Sequence, residues 1–170
     1  MFWNALECNT LGSVAGLTSP SEACCNIPPI VSSGYQKKGR FENFDSRNTY
    51  VTGPAKEATK AIFIVMDIFG FFDQTLQGCD ILASADDHNK YAVFMPDAFD
   101  GAPLDISLFP PDNDEKQQKV GAFFGKNSPP SFVPKAHATV KAIQEKYPNI
   151  KEWGVLGVSN AGPRCVQVAQ

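Results

Sequence analysis

The run Gly157-Val158-Ser159-Asn160-Ala161-Gly162 has the residue types and spacing of a nucleophile turn. A short apolar stretch, Trp153 to Gly157, leads into it, and Pro163 falls where a following helix would begin. At the apex of a strand-to-helix turn a hydroxyl is held in a strained, exposed position from which it can attack a carbonyl. Gly157 and Ala161, two before and two after the serine, are small enough to let the turn close. The free N–H groups of the helix start face the oxyanion that develops on attack. Pro163 costs little there, because a first-turn N–H has no intrahelical partner to lose. The chemistry this implies is acyl transfer. The same pattern also describes a strand–helix turn in which Ser159 only caps the helix, and the motif alone does not separate the two.

Positioning such a turn requires a sheet. Arg40 to Asp45 and Asn48 to Thr52 read as two short strands around a Ser46-Arg47 turn, with Gly53-Pro54 ending the second. Ala61 to Met66 is a continuous apolar run, the pattern of a strand buried on both faces of a parallel sheet. Asp73 to about Asp87 reads as a helix with Asp73 as N-cap and Leu76, Cys79, Leu82 and Ala83 on one face. Tyr91 to Met95 is a second buried strand. A long loop rich in Pro, Asp and Phe runs from Asp97 to about Asp112, a length that is usually functional or disordered. Asp114 to Phe124 and Pro134 to Tyr147 read as helices, the latter with Ala136, Val140, Ile143 and Tyr147 on one face. Trp153 to Gly157 is a third buried strand, and a helix restarts after Gly162. Strands alternating with helices predict an α/β fold, a parallel sheet with helices on both faces. Ligands bind such sheets at the carboxyl ends of the strands. Three loops leave those ends: Asp67-Ile68-Phe69-Gly70, Asp97 onward, and Val158-Ser159-Asn160.

Composition narrows the rest. A chain of 170 residues fits one domain with a real core, and 43% hydrophobic with 19% charged residues is ordinary for a soluble protein. A net charge of −3 without a basic stripe argues against nucleic-acid binding. Lys37-Lys38-Gly39-Arg40 reads as a solvated loop. The longest apolar run, Ala61 to Met66, is far short of the ~18 residues that a membrane span needs. The first residues lack a signal-peptide pattern. Five cysteines without framework spacing, two of them adjacent at Cys24-Cys25, predict free thiols in a reducing cytoplasm. No C-x-x-C pair occurs and neither His88 nor His137 has a ligand-spaced partner, so no metal is expected. No Gly-rich nucleotide motif occurs, so no cofactor is expected either.

Further segments carry a family resemblance. They are Cys25-Asn26-Ile27-Pro28-Pro29 running into Ser33 to Gly39; Asp67-Ile68-Phe69-Gly70-Phe71-Phe72 followed by Gln74 to Asp80; Val93-Phe94-Met95-Pro96-Asp97; Phe109-Pro110-Pro111-Asp112; and Trp153-Gly154-Val155-Leu156-Gly157. Together they span about residues 24 to 165 and resemble the fungal dienelactone hydrolase family. That resemblance implies a three-layer α/β-hydrolase-like sheet and a Cys-His-Asp triad that opens lactones or esters. The family's elbow reads Gly-Tyr-Cys-Trp-Gly-Gly; here Val158, Ser159, Asn160 and Ala161 stand for its Tyr, Cys, Trp and first Gly. A serine hydroxyl depends on a base more than a thiol does, since a thiol is already partly ionised near neutral pH. The resemblance assigns Ser159 to the nucleophile position, Asp67 to the acidic residue beside it, and the backbone N–H groups of Ile68 and Asn160 to the oxyanion hole. Asp67 would then hold the Ser159 proton or orient a water; the alternative is a solvated loop carboxylate, or one capping the helix from Asp73. The implied substrate is a small-molecule ester, lactone or thioester, with a polyketide of secondary metabolism suggested by analogy.

In this fold the triad runs nucleophile, acid, histidine along the chain. The eleven residues after Ser159 contain no Asp, Glu or His. The chain therefore reads as an irregular arm over residues 1–35 and a partial hydrolase domain over 36–170, missing the C-terminal strand–helix units. Two functions follow: a serine-type esterase, or a truncated and catalytically inactive remnant or interaction protein. Without further strands the elbow strand becomes an edge, which predicts marginal stability, homo-oligomerisation or aggregation.

Overall fold

The computed structural model of the chain describes residues 34–86 and 88–158. The first two strands, β1 (Arg40–Phe44) and β2 (Arg47–Thr52), form an antiparallel hairpin in which Phe44 pairs with Arg47. The turn is Asp45-Ser46, one residue earlier than the spacing predicts. Both residues have positive φ, 49° and 61°, the two-residue turn whose twist matches that of paired strands. Arg47 is thereby released from the turn to begin β2.

Strand β3 (Lys60–Val65) pairs in parallel with β4 (Tyr91–Pro96) and with β5 (Glu152–Gly157), giving a mixed sheet in the order β1-β2-β4-β3-β5. Among the described residues three α-helices flank it: α1 (Asp73–Ser84), α2 (Asp114–Lys126) and α3 (Pro129–Lys146). Alternation along β4 shows the layering. Phe94 turns one way, against Tyr147 at the end of α3 and against Trp153. Met95 turns the other way, where its sulfur meets Cys79 of α1 at 3.8 Å. Helices α1 and α3 thus sit on opposite faces, and the three-layer α/β expectation holds. The core runs through Phe63, Ile64, Val65, Val93, Phe94, Met95 and Ile143, all essentially sealed from solvent, each stabilising the fold by about 1.5–3 kcal/mol.

Several boundaries differ from the sequence reading for identifiable reasons. Phe72, not Asp73, caps α1, and no side chain caps it; Asp73 is the first helical residue, where its charge favours the helix N-terminus. Helix α3 begins at Pro129, five residues before Pro134, which lies inside it. A run of prolines is tolerated at a helix start, and Pro134 forfeits one backbone hydrogen bond while Phe132 and Ala136 bury on either side. Lys37, Lys38 and Arg40 are exposed, as a solvated cluster should be, but Lys38 donates its N–H to Asp80 and Arg40 opens β1. The reading of the last strand as doubly buried is corrected. Among the described residues β5 pairs only with β3, its exposure alternates along its length, and Leu156 is 41% exposed.

Candidate active site

Strands β3, β4 and β5 end together. Val65 pairs with Gly157, and the Val158 N–H donates to the Val65 carbonyl at 3.0 Å. Val158, immediately before Ser159 in sequence, therefore lies beside the exit of β3. Ser159 and Asn160 themselves, with the helix expected after Gly162, lie outside the described residues.

The exit of β3 is built tightly. Met66 is buried, and Asp67 turns back so that its Oδ1 accepts the Phe69 N–H at 2.9 Å. The Ile68 carbonyl accepts the Leu104 N–H at 2.8 Å from the loop after β4. The peptide joining Ile68 to Phe69 is thus held at both of its polar ends. The preceding N–H, that of Ile68, has no acceptor among the described residues. Gly70 turns the chain with φ +79°, pressed so closely to Pro103 that an added Cβ would lie 3.1 Å from that ring. Phe72 N–H then closes on Gly70 carbonyl at 2.9 Å and α1 starts. Phe69 packs edge-on against Phe72 and Phe109, at 6.2 and 5.8 Å between ring centres.

Asp67 carries an altered acidity. Burial pushes its carboxyl up from the ordinary range, and the Phe69 N–H offsets only part of that. It caps Phe69, not helix α1. A half-buried carboxyl with raised pKa is a group able to hold a proton more readily than an ordinary carboxylate.

The other candidate groups are elsewhere or engaged. His88 precedes β4 and so lies at the opposite, amino edge, a strand length or roughly 20 Å away. His137 is on the exposed side of α3. The Asp97 carboxylate is spent on the Phe99 and Gly101 N–H groups at 2.8 and 2.6 Å, and Asp100 is paired with Arg47 and Lys135. Cys79 is buried, its thiol pushed up to about 12 by desolvation, and is unsuited to attack. No cluster of three metal-binding side chains occurs among the described residues, and no described helix is long and apolar enough to cross a membrane.

Sequence reasoning missed two features. Asp80 lies within the buried face of α1 at the helical spacing Leu76-Cys79-Asp80-Ala83, a signal that was readable. The pairing of Arg47 with Asp100, 53 residues apart, had no local signal.

No family model matches the chain. Two uncharacterized AIM2 family proteins of Schizosaccharomyces pombe are similar to it. One is 36% identical over 122 residues, covering 70% of this chain and 47% of that protein; the other is 27% identical over 125 residues, covering 72% and 48%. The chain spans about half the length of the curated relatives it matches. A solved chain described as m3DLH aligns with a TM-score of 0.51 at 15% identity, over 78% of this chain and 53% of that one. What that likeness establishes is the fold: a mixed α/β sheet flanked by helices.

Proposed function

We propose that this chain is the sheet-and-nucleophile portion of a dienelactone-hydrolase-like protein, and that these 170 residues by themselves are catalytically silent. One observation carries the second half of that reading. The carboxyl edge gathers Asp67, the Ile68 amide and the exit of β5, but His88 lies at the opposite edge and His137 is on the exposed side of α3. A serine hydroxyl without an imidazole base is a poor nucleophile, and a carboxylate does not replace a proton-shuttling imidazole.

A second reading is favoured by the Ile68 N–H, which has no acceptor among the described residues. In a longer protein that supplies an acid and a histidine, Ser159 would attack an ester, lactone or thioester carbonyl. The oxyanion would sit between the N–H groups of Ile68 and Asn160, with Asp67 handling a proton. A small-molecule acyl substrate, such as a polyketide ester, and a cytoplasmic setting belong to this reading.

A fluorophosphonate probe and a p-nitrophenyl ester test the proposal on the purified chain. The expected result is no turnover and no labelling of folded protein. Labelling that Ser159→Ala abolishes, with ester turnover, would overturn the silent reading and establish the nucleophile.

A further inference from the structure

The loop after β4 is tied down by charges from two other elements. Arg47, at the start of β2, has a side chain only 10% exposed and donates from Nη1 to the Asp97 carbonyl at 2.9 Å and to Asp100 Oδ1 at 2.6 Å. Its buried Nε has no partner among the described residues, so Nη1 carries the attachment. Lys135 of α3 donates to the second oxygen, Asp100 Oδ2, at 2.7 Å. One carboxylate therefore bridges β2 and α3. Asp100 also sits at φ +55°, a left-handed conformation that most non-glycine residues avoid.

Downstream of this bridge the loop reaches the β3 exit. Ala102 N–H closes on the Phe99 carbonyl, Pro103 packs under Gly70, and Leu104 N–H seizes the Ile68 carbonyl. Residues 101–104 carry no charge, and of their side chains only Leu104 is buried.

We propose that Asp100 is a positioning residue, clamped by Arg47 and Lys135, that holds Leu104 against the Ile68–Phe69 peptide and so steadies the β3 exit next to the Ile68 N–H. The clamp itself depends only on the contacts described; that it serves an oxyanion donor rests on the hydrolase reading. The two cations contribute unequally. The Lys135 pair is 39% and 61% exposed, and such pairs contribute little. Removing Asp100 also strips a mostly buried guanidinium of its carboxylate, which costs more.

Amide hydrogen exchange tests this on the 170-residue chain. Asp100→Gly keeps the left-handed backbone and removes both pairs. Exchange at Leu104 and Phe69 should then speed up on the order of tenfold, with Phe63 and Phe94 in the sheet unchanged. Lys135→Met should speed the same two amides by about twofold to fivefold. Rates at Leu104 and Phe69 within twofold of the parent would sink the proposal. So would an equal rise at Phe63 and Phe94, since that reports general loosening. Should Asp100→Gly not fold, the Lys135→Met response decides on the same criteria. The hydrolase reading fails separately: a longer chain carrying acid and histidine that shows the exchange response but takes no fluorophosphonate keeps the clamp and loses the nucleophile.

Discussion

The Tyr50 hydroxyl reaches both oxygens of the Asp80 carboxylate, at 2.9 and 3.0 Å, in the buried layer between β2 and α1. Asp80 also accepts from the Tyr35 hydroxyl and the Lys38 N–H, each at 2.9 Å, while Tyr50 accepts from the Gly39 N–H at 2.8 Å. One carboxylate thereby fastens the segment entering β1 to helix α1. Burial alone would push the Asp80 carboxyl up, but the Lys38 N–H and the hydroxyls of Thr52, Tyr50 and Tyr35 together hold it below the ordinary carboxylate range.

Asp80→Asn should therefore destabilise the fold by about 2–4 kcal/mol at neutral pH, because an amide cannot accept from all these donors. The folded-state pKa is depressed, so the charged form is the stabilising one. Its contribution is present above the unfolded Asp value of about 3.9 and fades as pH falls through the lower folded value. Urea unfolding at pH 7 and pH 3 checks this: the gap between parent and variant should narrow at the acid end.

Asp67 behaves in the opposite sense. Its folded pKa is raised, so ionising it costs stability, and that cost appears as pH climbs from the unfolded Asp value through the raised one. Asp67→Asn keeps an oxygen for the Phe69 N–H and removes the buried charge. It should raise stability at pH 7 by up to about 1 kcal/mol and change little at pH 3. A variant less stable than the parent at pH 7 would contradict the burial argument.

Gly53 follows β2 with φ +79°, and a Cβ there would collide with the Tyr91 carbonyl at the start of β4. Gly53→Ala should cost about 2–4 kcal/mol, from strain and displaced backbone together. Thermal unfolding reads this directly, with Gly78→Ala as a control, since nothing lies within 4 Å of a Cβ at that helical position.

Leu156 stands exposed on β5, which has one unpaired side among the described residues. Such strands associate edge to edge, and a charge on them discourages it. Leu156→Lys should leave stability within about 0.5 kcal/mol of the parent while lowering self-association. Sedimentation velocity over a concentration series measures both species; association equal to that of the parent would count against β5 as the contact.

Much of this protein was legible in the residues themselves. The unbroken apolar runs around Phe63 and Phe94 announce strands buried on both faces, because only a sheet covered by helices can hide alternate side chains equally. The spacing of Ala136, Ile143 and Tyr147 announces a helix with one buried face. The short run from Asp67 to Gly70 is marked as a strand exit by its turn residues. These signals are local, each resting on backbone periodicity or on a few adjacent side chains.

What tertiary structure decided is which distant groups meet. Only the folded chain brings Arg47 to Asp100, Tyr35 to Asp80 and Leu104 to Ile68, because nothing in the sequence near any of these residues encodes its partner. It also set the acidity of Asp67, which depends on desolvation by surrounding elements and not on the residue type. And it separated His88 from Asp67 by the length of a strand: the parallel sheet puts the entry to β4 and the exit of β3 at opposite edges, so a histidine 21 positions away in sequence is out of reach of the site.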